Sequence, residues 1–464
     1  MKSRTASTAA EAARLVRPTD RLAMPLGPGQ PLAFLEALGQ RTDWQDLTVF
    51  CALLTGLHPL FAKKGVHLRS GFFGPAERAL RAAGHDVAFV PGDFRRFARI
   101  ASELAPRIIA VAGAPPDRDG RVSLSLHAGA SIGAIREAIR DPDRLLVVET
   151  SPAYPRTFGL PPDHPHSVAL DEIDVWIESD ARPAELPDVP PGPEEIAIAE
   201  RVLPFIDPEA TLQVGIGGIP NAIALQLAAS ERGAYGVHSE MFTTGLMRLH
   251  EAGRIRNRKG VFDGHSIVTF AMGSRALYDW LDGNEAVCFL PVDVVNDPAV
   301  IAKNRAMVSI NGALAVDLFG QIVADTLGGR QFSGIGGHED FLAGIGASPD
   351  GRSLVCLPAT YQAEGVRRSR IVPQHEAGAI VTSPRHQVDV VVTEWGAAEL
   401  FGRTVGERAR ALAEIAHPDE REALRAAARA IDRLGVLPPP APKSPSANGG
   451  ANGSAKASPD DAAA

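Results

Sequence analysis

Cysteine is scarce: only Cys51, Cys288 and Cys356 occur in 464 residues, and no two form a Cys-x-x-Cys pair. This excludes a disulfide framework and a structural zinc site, and the three thiols read as small buried hydrophobes in a reducing compartment. Excess positive charge is also missing. Lys and Arg total 47 against 55 Asp and Glu, for a net charge of -8, so the clustered basic face that nucleic acid requires is not expected. No hydrophobic run is long enough to span a membrane, and Thr5 to Arg17 holds Glu11 and Arg14 where a secretory peptide needs apolar residues. The expectation is a cytoplasmic protein with neither membrane nor nucleic-acid partners. Several catalytic signatures are absent too. There is no Gly-Lys-Ser/Thr of a P-loop, no Gly-x-Ser-x-Gly elbow and no helical His-x-x-x-His, which disfavours ATP, serine-triad and metal chemistry.

What is present is a large apolar fraction, 45%, in a chain too long for the usual single domain. Short Val/Ile/Leu runs alternate with Ala/Leu/Arg helical patterns, the pattern of parallel α/β layers. The runs 107–112, 144–149, 211–215, 354–357 and 388–393 are expected as strands buried on both faces. Residues 181–195 are rich in proline and acid, follow neither hydrophobic period and read as an exposed linker. The two halves echo one another: Gly27-Pro28-Gly29 and Gly215-Ile216-Gly217 each follow an apolar strand and precede a proline that opens a helix. Met307 to Asp325 reads as a hairpin punctuated by Asn311-Gly312 and Phe319-Gly320. From Pro438 the chain turns to Pro, Ala, Ser, Gly and Asn, a composition that predicts disorder. The division expected is 1–185, 196–437 and a tail at 438–464.

Two glycine-rich segments and one carboxylate draw attention. The turn from Gly215 to Asn221 presents backbone N–H groups at a helix start, suited to an anion or a developing oxyanion. Its Gly-x-Gly lacks the third glycine of a dinucleotide fingerprint, which disfavours NAD. A second cluster, Ser333-Gly334-Ile335-Gly336-Gly337, would let backbone approach a long substrate closely. Between them lies His238-Ser239-Glu240-Met241-Phe242. A glutamate acts as a covalent nucleophile where water is excluded and an oxyanion site is available. His238 is weighed as an acid/base partner and as a structural residue. Solvation or helix N-terminal placement is the reading of Glu339 and Asp340.

These stretches carry a family resemblance. Phe72-Phe73-Gly74-Pro75, Tyr154-Pro155-Arg156-Thr157, Val214 to Asn221, His238 to Phe242, Val295-Asn296-Asp297-Pro298, Ile310 to Leu318, Gly328 to Gly337 and Val391 to Gly396 occur in the order seen in the acetyl-CoA hydrolase/transferase family of class I CoA-transferases, particularly its 4-hydroxybutyrate and short-chain acyl branch. The resemblance implies two tandem open α/β domains of the CoA-transferase (NagB/RpiA-like) type with the active site between them, usually in a homodimer or higher oligomer. It places Glu240 as the nucleophile that passes through an acyl-glutamyl anhydride and a glutamyl-CoA thioester. Gly217, Gly218, Ile219, Pro220 and Asn221, with Gly336 and Gly337, match the CoA-contacting loops; no metal and no permanent cofactor is implied, only acyl-CoA and a short-chain carboxylate as substrates. The expected activity is CoA transfer from acetyl-, butyryl- or 4-hydroxybutyryl-like thioesters. Acyl-CoA hydrolysis by the same glutamate is the alternative, and a non-catalytic acyl-CoA-binding protein the remote one. Asn311 lies in a matching stretch too, with a structural role in the hairpin as the equal alternative. Phe242-Thr243-Thr244-Gly245 and His338-Glu339 depart from the family pattern at places expected to bear on acyl selectivity or water access.

Overall fold

The computed structural model describes residues 5–127 and 129–434; the tail expected at 438–464 lies outside them. Among the described residues two sheets dominate. The first runs in the order Thr5–Ala6, Val175–Glu178, Leu145–Thr150, Ile108–Gly113, Arg21–Ala23, Leu47–Cys51, Val66–Ser70 and Val87–Phe89, every neighbouring pair parallel. The second runs Gly236–Val237, Thr211–Val214, Met307–Gly312, Arg352–Cys356 and Val390–Thr393 in parallel, closed by the antiparallel Gly396–Glu399. Parallel strands need helical crossovers, which cover both faces and demand unbroken apolar runs. All five runs expected as strands are strands, shifted by at most two residues at an end, and their central positions are buried. All three cysteines are buried and unpaired.

Three local expectations change. Met307–Gly312 is not an arm of a hairpin: it lies between two parallel neighbours, and Asn311-Gly312 ends it. The antiparallel pair is Ala315–Asp317 with Ile322–Val323, turned by Gly320 at φ +87°. The linker also ends earlier than expected, because Gly192 begins the helix Pro193–Val202 and the Glu195 carboxylate accepts the Gly192 N–H at 2.6 Å. A Pro at the first position and a Glu at the third are start signals that outweigh the acidic composition. Finally, the two proline-opened helices differ. Pro31 stands just outside Leu32–Gln40, whereas Pro220 occupies the third position of Gly218–Ala229, still among the N–H groups that lack an intrahelical partner.

The segment between the sheets is held to the second half rather than free. Tyr278 donates its hydroxyl to the Ala184 carbonyl at 2.6 Å, Leu186 N–H bonds to Gly273 O at 2.8 Å, and Arg248 pairs with Asp188 at 2.8 Å. The halves also meet directly. Arg78 donates to Phe332 O at 2.6 Å with its guanidinium 4.4 Å from the Phe332 ring centre, and the Phe94 N–H bonds to Gly336 O at 3.1 Å.

Candidate active site

Glu240 sits where the chain leaves one sheet for another. Upstream, Gly236–Val237 pairs at the edge of the second sheet, and Ser239 N–H bonds to Ile267 O at 3.0 Å. Downstream, Met241–Phe242 pairs in parallel with Phe270–Ala271. The Glu240 carbonyl accepts the N–H groups of Thr269 and Phe270 at 2.9 and 3.2 Å, so its backbone is held on both sides. Thr243 then caps the helix Thr244–Glu251 through the Leu246 N–H. The Thr243-Thr244 departure from the family pattern therefore starts a helix, and Thr244 Oγ1 accepts the Ser274 N–H at 3.2 Å.

The Glu240 carboxylate opens into a cavity of about 440 Å³ between the halves. Asn296 Nδ2 donates to Glu240 Oε2 at 2.9 Å and to Asp340 Oδ2 at 3.0 Å. The Gly337 backbone N–H also faces this carboxylate and favours its charged form. Burial pushes the Glu240 carboxyl up to about 8 and the Asp340 charge adds to this, opposed by the Asn296 and Gly337 hydrogen bonds. Gly337 is required by contact: a Cβ there would lie 1.9 Å from Glu240 Oε2 and 2.5 Å from Asn296 Nδ2.

Among the residues expected at the site, Gly217, Gly218, Ile219, Pro220, Gly336 and Gly337 share the cavity wall with Glu240, as does Asn311. Asn221 faces a neighbouring cavity of about 370 Å³ on the other side of the Gly215–Gly218 turn, and its Nδ2 donates to Val189 O at 3.2 Å. The turn gives Glu240 no hydrogen bond among the described residues; its carboxylate is bonded by Asn296 and faced by the Gly337 N–H. A carboxylate already packs against it, since a Cβ at Gly218 would fall 1.6 Å from Glu195 Oε1. Asn311 donates to Ser309 Oγ at 2.7 Å at the end of its strand. Arg370 is a cation on the cavity wall, its guanidinium 4.9 Å from the Tyr361 ring centre. The opposite wall is apolar and comes largely from the first half: Leu26, Leu53, Phe72, Phe94 and Phe97, joined by Phe270.

His238 is fully buried. Its Nε2 bonds to Val295 O at 2.8 Å, and because a carbonyl only accepts, that nitrogen carries the proton. Burial pushes the imidazole down to about 4, so it is neutral and braces the segment that carries Asn296. Glu339 and Asp340 do occupy the first turn of the helix His338–Ile345, but solvation fails for Asp340, which is fully buried. Burial pushes it up to about 7. His338 and Glu339 both meet the buried Ser383 hydroxyl. Asn296 and Asp340, which the residue-by-residue reading did not place at the site, are the side chains joined to Glu240 by hydrogen bonds, Asp340 through Asn296. Asn296 lies inside the matching stretch 295–298, 56 residues beyond Glu240, whereas Asp340, a further 44 on, falls outside the matching stretches just past Gly337 and had only its helix-start position as a signal.

Residues 273–428 match the acetyl-CoA hydrolase/transferase C-terminal domain. The chain is 40% identical over 310 residues to the 4-hydroxybutyrate coenzyme A transferase of Clostridium kluyveri, covering 67% of this chain and 69% of that protein. It is 34% identical over 430 residues to the succinyl-CoA:cyclohexane-1-carboxylate CoA transferase of Geobacter metallireducens, covering 91% and 95%. The crystal structure of RipA from Yersinia pestis superimposes with a TM-score of 0.82 at 31% identity over 92% of this chain and 97% of that one. Among the described residues no helix is long and apolar enough to cross a membrane.

Proposed function

The chain belongs to the acetyl-CoA hydrolase/transferase family and is a CoA-transferase, and from that premise we propose that Glu240 carries CoA between a short-chain acyl-CoA and a carboxylate as a glutamyl-CoA thioester. The observation that carries the reading is the Glu240 carboxylate held by Asn296 and Gly337 at the wall of a cavity between the halves. A Glu240 oxygen attacks the acyl carbon and expels CoA thiolate, leaving an acyl-glutamyl anhydride. The thiolate then attacks Glu240 Cδ, forming the thioester and releasing the first carboxylate. An incoming carboxylate attacks Cδ in turn, the thiolate leaves, and its attack on the new acyl carbonyl regenerates Glu240. Each tetrahedral species at Cδ places negative charge on the Glu240 oxygen that faces Asn296 Nδ2 and the Gly337 N–H. Donors fixed there beforehand stabilise that charge without reorganisation. One thioester is exchanged for another, so no energy-supplying cofactor is needed.

In this proposal Gly217 to Asn221, with Gly336 and Gly337, contact CoA, and the acyl group is acetyl-, butyryl- or 4-hydroxybutyryl-like. Residues 1–185 and 196–437 are the two domains, and the enzyme works as a cytoplasmic homodimer or higher homo-oligomer. The test is to incubate the protein with acetyl-CoA or other short-chain acyl-CoAs, reduce with borohydride, and analyse the Glu240 peptide by mass spectrometry. Reduction of Glu240 to the alcohol is expected. No modification while free CoA accumulates without an added carboxylate would replace the reading with hydrolysis, and neither signal would remove the covalent route.

A further inference from the structure

We infer that Asp340 is a positioning residue for the nucleophile: through Asn296 it sets the aim of the donor pair on Glu240, and through Arg95 it ties that aim to the first half of the chain. This rests on Glu240 being the nucleophile. Asn296 has two N–H bonds on one nitrogen, and each is committed to a carboxylate, Glu240 at 2.9 Å and Asp340 at 3.0 Å. With one N–H held by Asp340, the amide plane cannot rotate and the other N–H stays directed at Glu240. When Glu240 is acylated or carries CoA it is neutral and a weaker acceptor. Asp340 then remains as the charged acceptor that keeps Asn296 in place for the next tetrahedral species.

Asp340 is fully buried, as a residue whose only task was to start a helix would not need to be. Its Oδ2 also accepts the Arg95 backbone N–H at 3.1 Å, and Arg95 Nε stands 3.4 Å from Oδ1. Arg95 adjoins Phe94, whose N–H bonds to Gly336 O in the loop over Glu240. Contacts from the first half therefore reach the nucleophile by two routes, the glycine loop and Asp340. The charged groups facing Asp340 are Glu240 across Asn296, Arg95, and Asp93, which itself pairs with Arg95 at 3.2 Å.

The pH dependence of CoA transfer from acetyl-CoA to labelled propionate tests this, with borohydride trapping run on each variant. Asp340→Asn keeps the shape and an acceptor for Asn296 but removes the charge. It is expected to lower kcat with little change in the KM for acetyl-CoA, and to move the acid limb of kcat/KM down by about one pH unit or more. Arg95→Leu removes the cation that keeps Asp340 ionised while retaining the backbone N–H, and is expected to move the same limb downward by a smaller amount than Asp340→Asn. A helix-start role alone would move neither limb. Unmoved limbs in two active, folded variants whose Glu240 is still trapped overturn the positioning role. Absence of trapping in the wild type instead overturns the nucleophile on which it rests.

Discussion

Replacing Gly337 by alanine separates catalysis from folding. Gly337 has φ -88° and ψ 4°, a backbone conformation open to any L-residue, and it precedes the helix His338–Ile345. On the unfolded side the substitution removes chain entropy worth about 0.4–1 kcal/mol, but forcing a methyl into this packed site costs about 1–3 kcal/mol, so a modest net loss of stability is expected. The new methyl, however, would stand 1.9 Å from Glu240 Oε2 and 2.5 Å from Asn296 Nδ2. Real contacts at a Cβ begin near 3 Å, so the carboxylate and the amide must each give way. A displacement of about 1 Å costs on the order of 10²-fold in rate. Loss of one oxyanion donor costs a further 10²–10³-fold, or roughly 3–4 kcal/mol, if the Gly337 N–H is turned away as well. The assay is acyl-CoA-dependent CoA transfer to a carboxylate measured beside a thermal unfolding curve. A loss of at least 100-fold in kcat with only a modestly lower Tm is expected. Gly336→Ala is the control: its φ of +58° makes alanine costly by roughly 1–2 kcal/mol, while its Cβ would lie 3.5 Å from Glu240 Oε1, an ordinary contact. Stability should fall more than activity there. Near-wild-type turnover in Gly337→Ala would refute the placement of the loop on the nucleophile.

Other expectations follow from the same carboxylate. Glu240→Asp withdraws it by about one bond length and should fold normally while transferring CoA on the order of 10²-fold more slowly; a rate within a few-fold of wild type would remove Glu240 from the mechanism. Because burial holds the Glu240 carboxyl near 8, the ionised nucleophile is scarce at neutral pH, and kcat/KM should climb through pH 6–8, reach half its maximum near pH 8 and level off about one unit above that. A profile flat from pH 5.5 upward would contradict it. The same shift affects stability. The folded state keeps a proton that the unfolded state loses near 4.5, so the stability present below that pH is lost as pH rises through 8. Glu240→Gln does not titrate, so its Tm should gain on the wild type between pH 5 and pH 9, and a constant difference would show that Glu240 is not buried as described.

The strands were readable because a parallel sheet covered on both faces tolerates only continuous apolar segments, and 107–112, 144–149 and 211–215 are of that kind. Met307 to Gly312 misled for the same reason that makes short motifs ambiguous. Asn-Gly signals a tight turn, but whether the flanking strand pairs with its sequence neighbour or with strands nearly a hundred residues upstream is a tertiary decision. The Pro and acidic content of 181–195 concealed a helix start because the signals at Gly192, Pro193 and Glu195 are local hydrogen bonds, not composition. His238 illustrates the converse. Its proximity to Glu240 in sequence suggested chemistry, yet an isolated bridge between His238 and Ile267 turns it inward to Val295.

By itself the sequence determined the α/β class and the family and singled out Glu240 as the nucleophile now proposed, since each depends on residue type in a local pattern: apolar runs, glycine turns and a glutamate within a distinctive segment. Only the tertiary structure decided what surrounds that glutamate. Asn296, Gly337 and Asp340 converge on it from separate elements, Arg95 and Phe94 reach it from the other half, and the apolar wall is assembled from both. The shift of its carboxyl to about 8 arises from the water these elements exclude and from a second carboxylate placed beyond Asn296. Those are properties of distances between atoms, and no local pattern along the chain contains them.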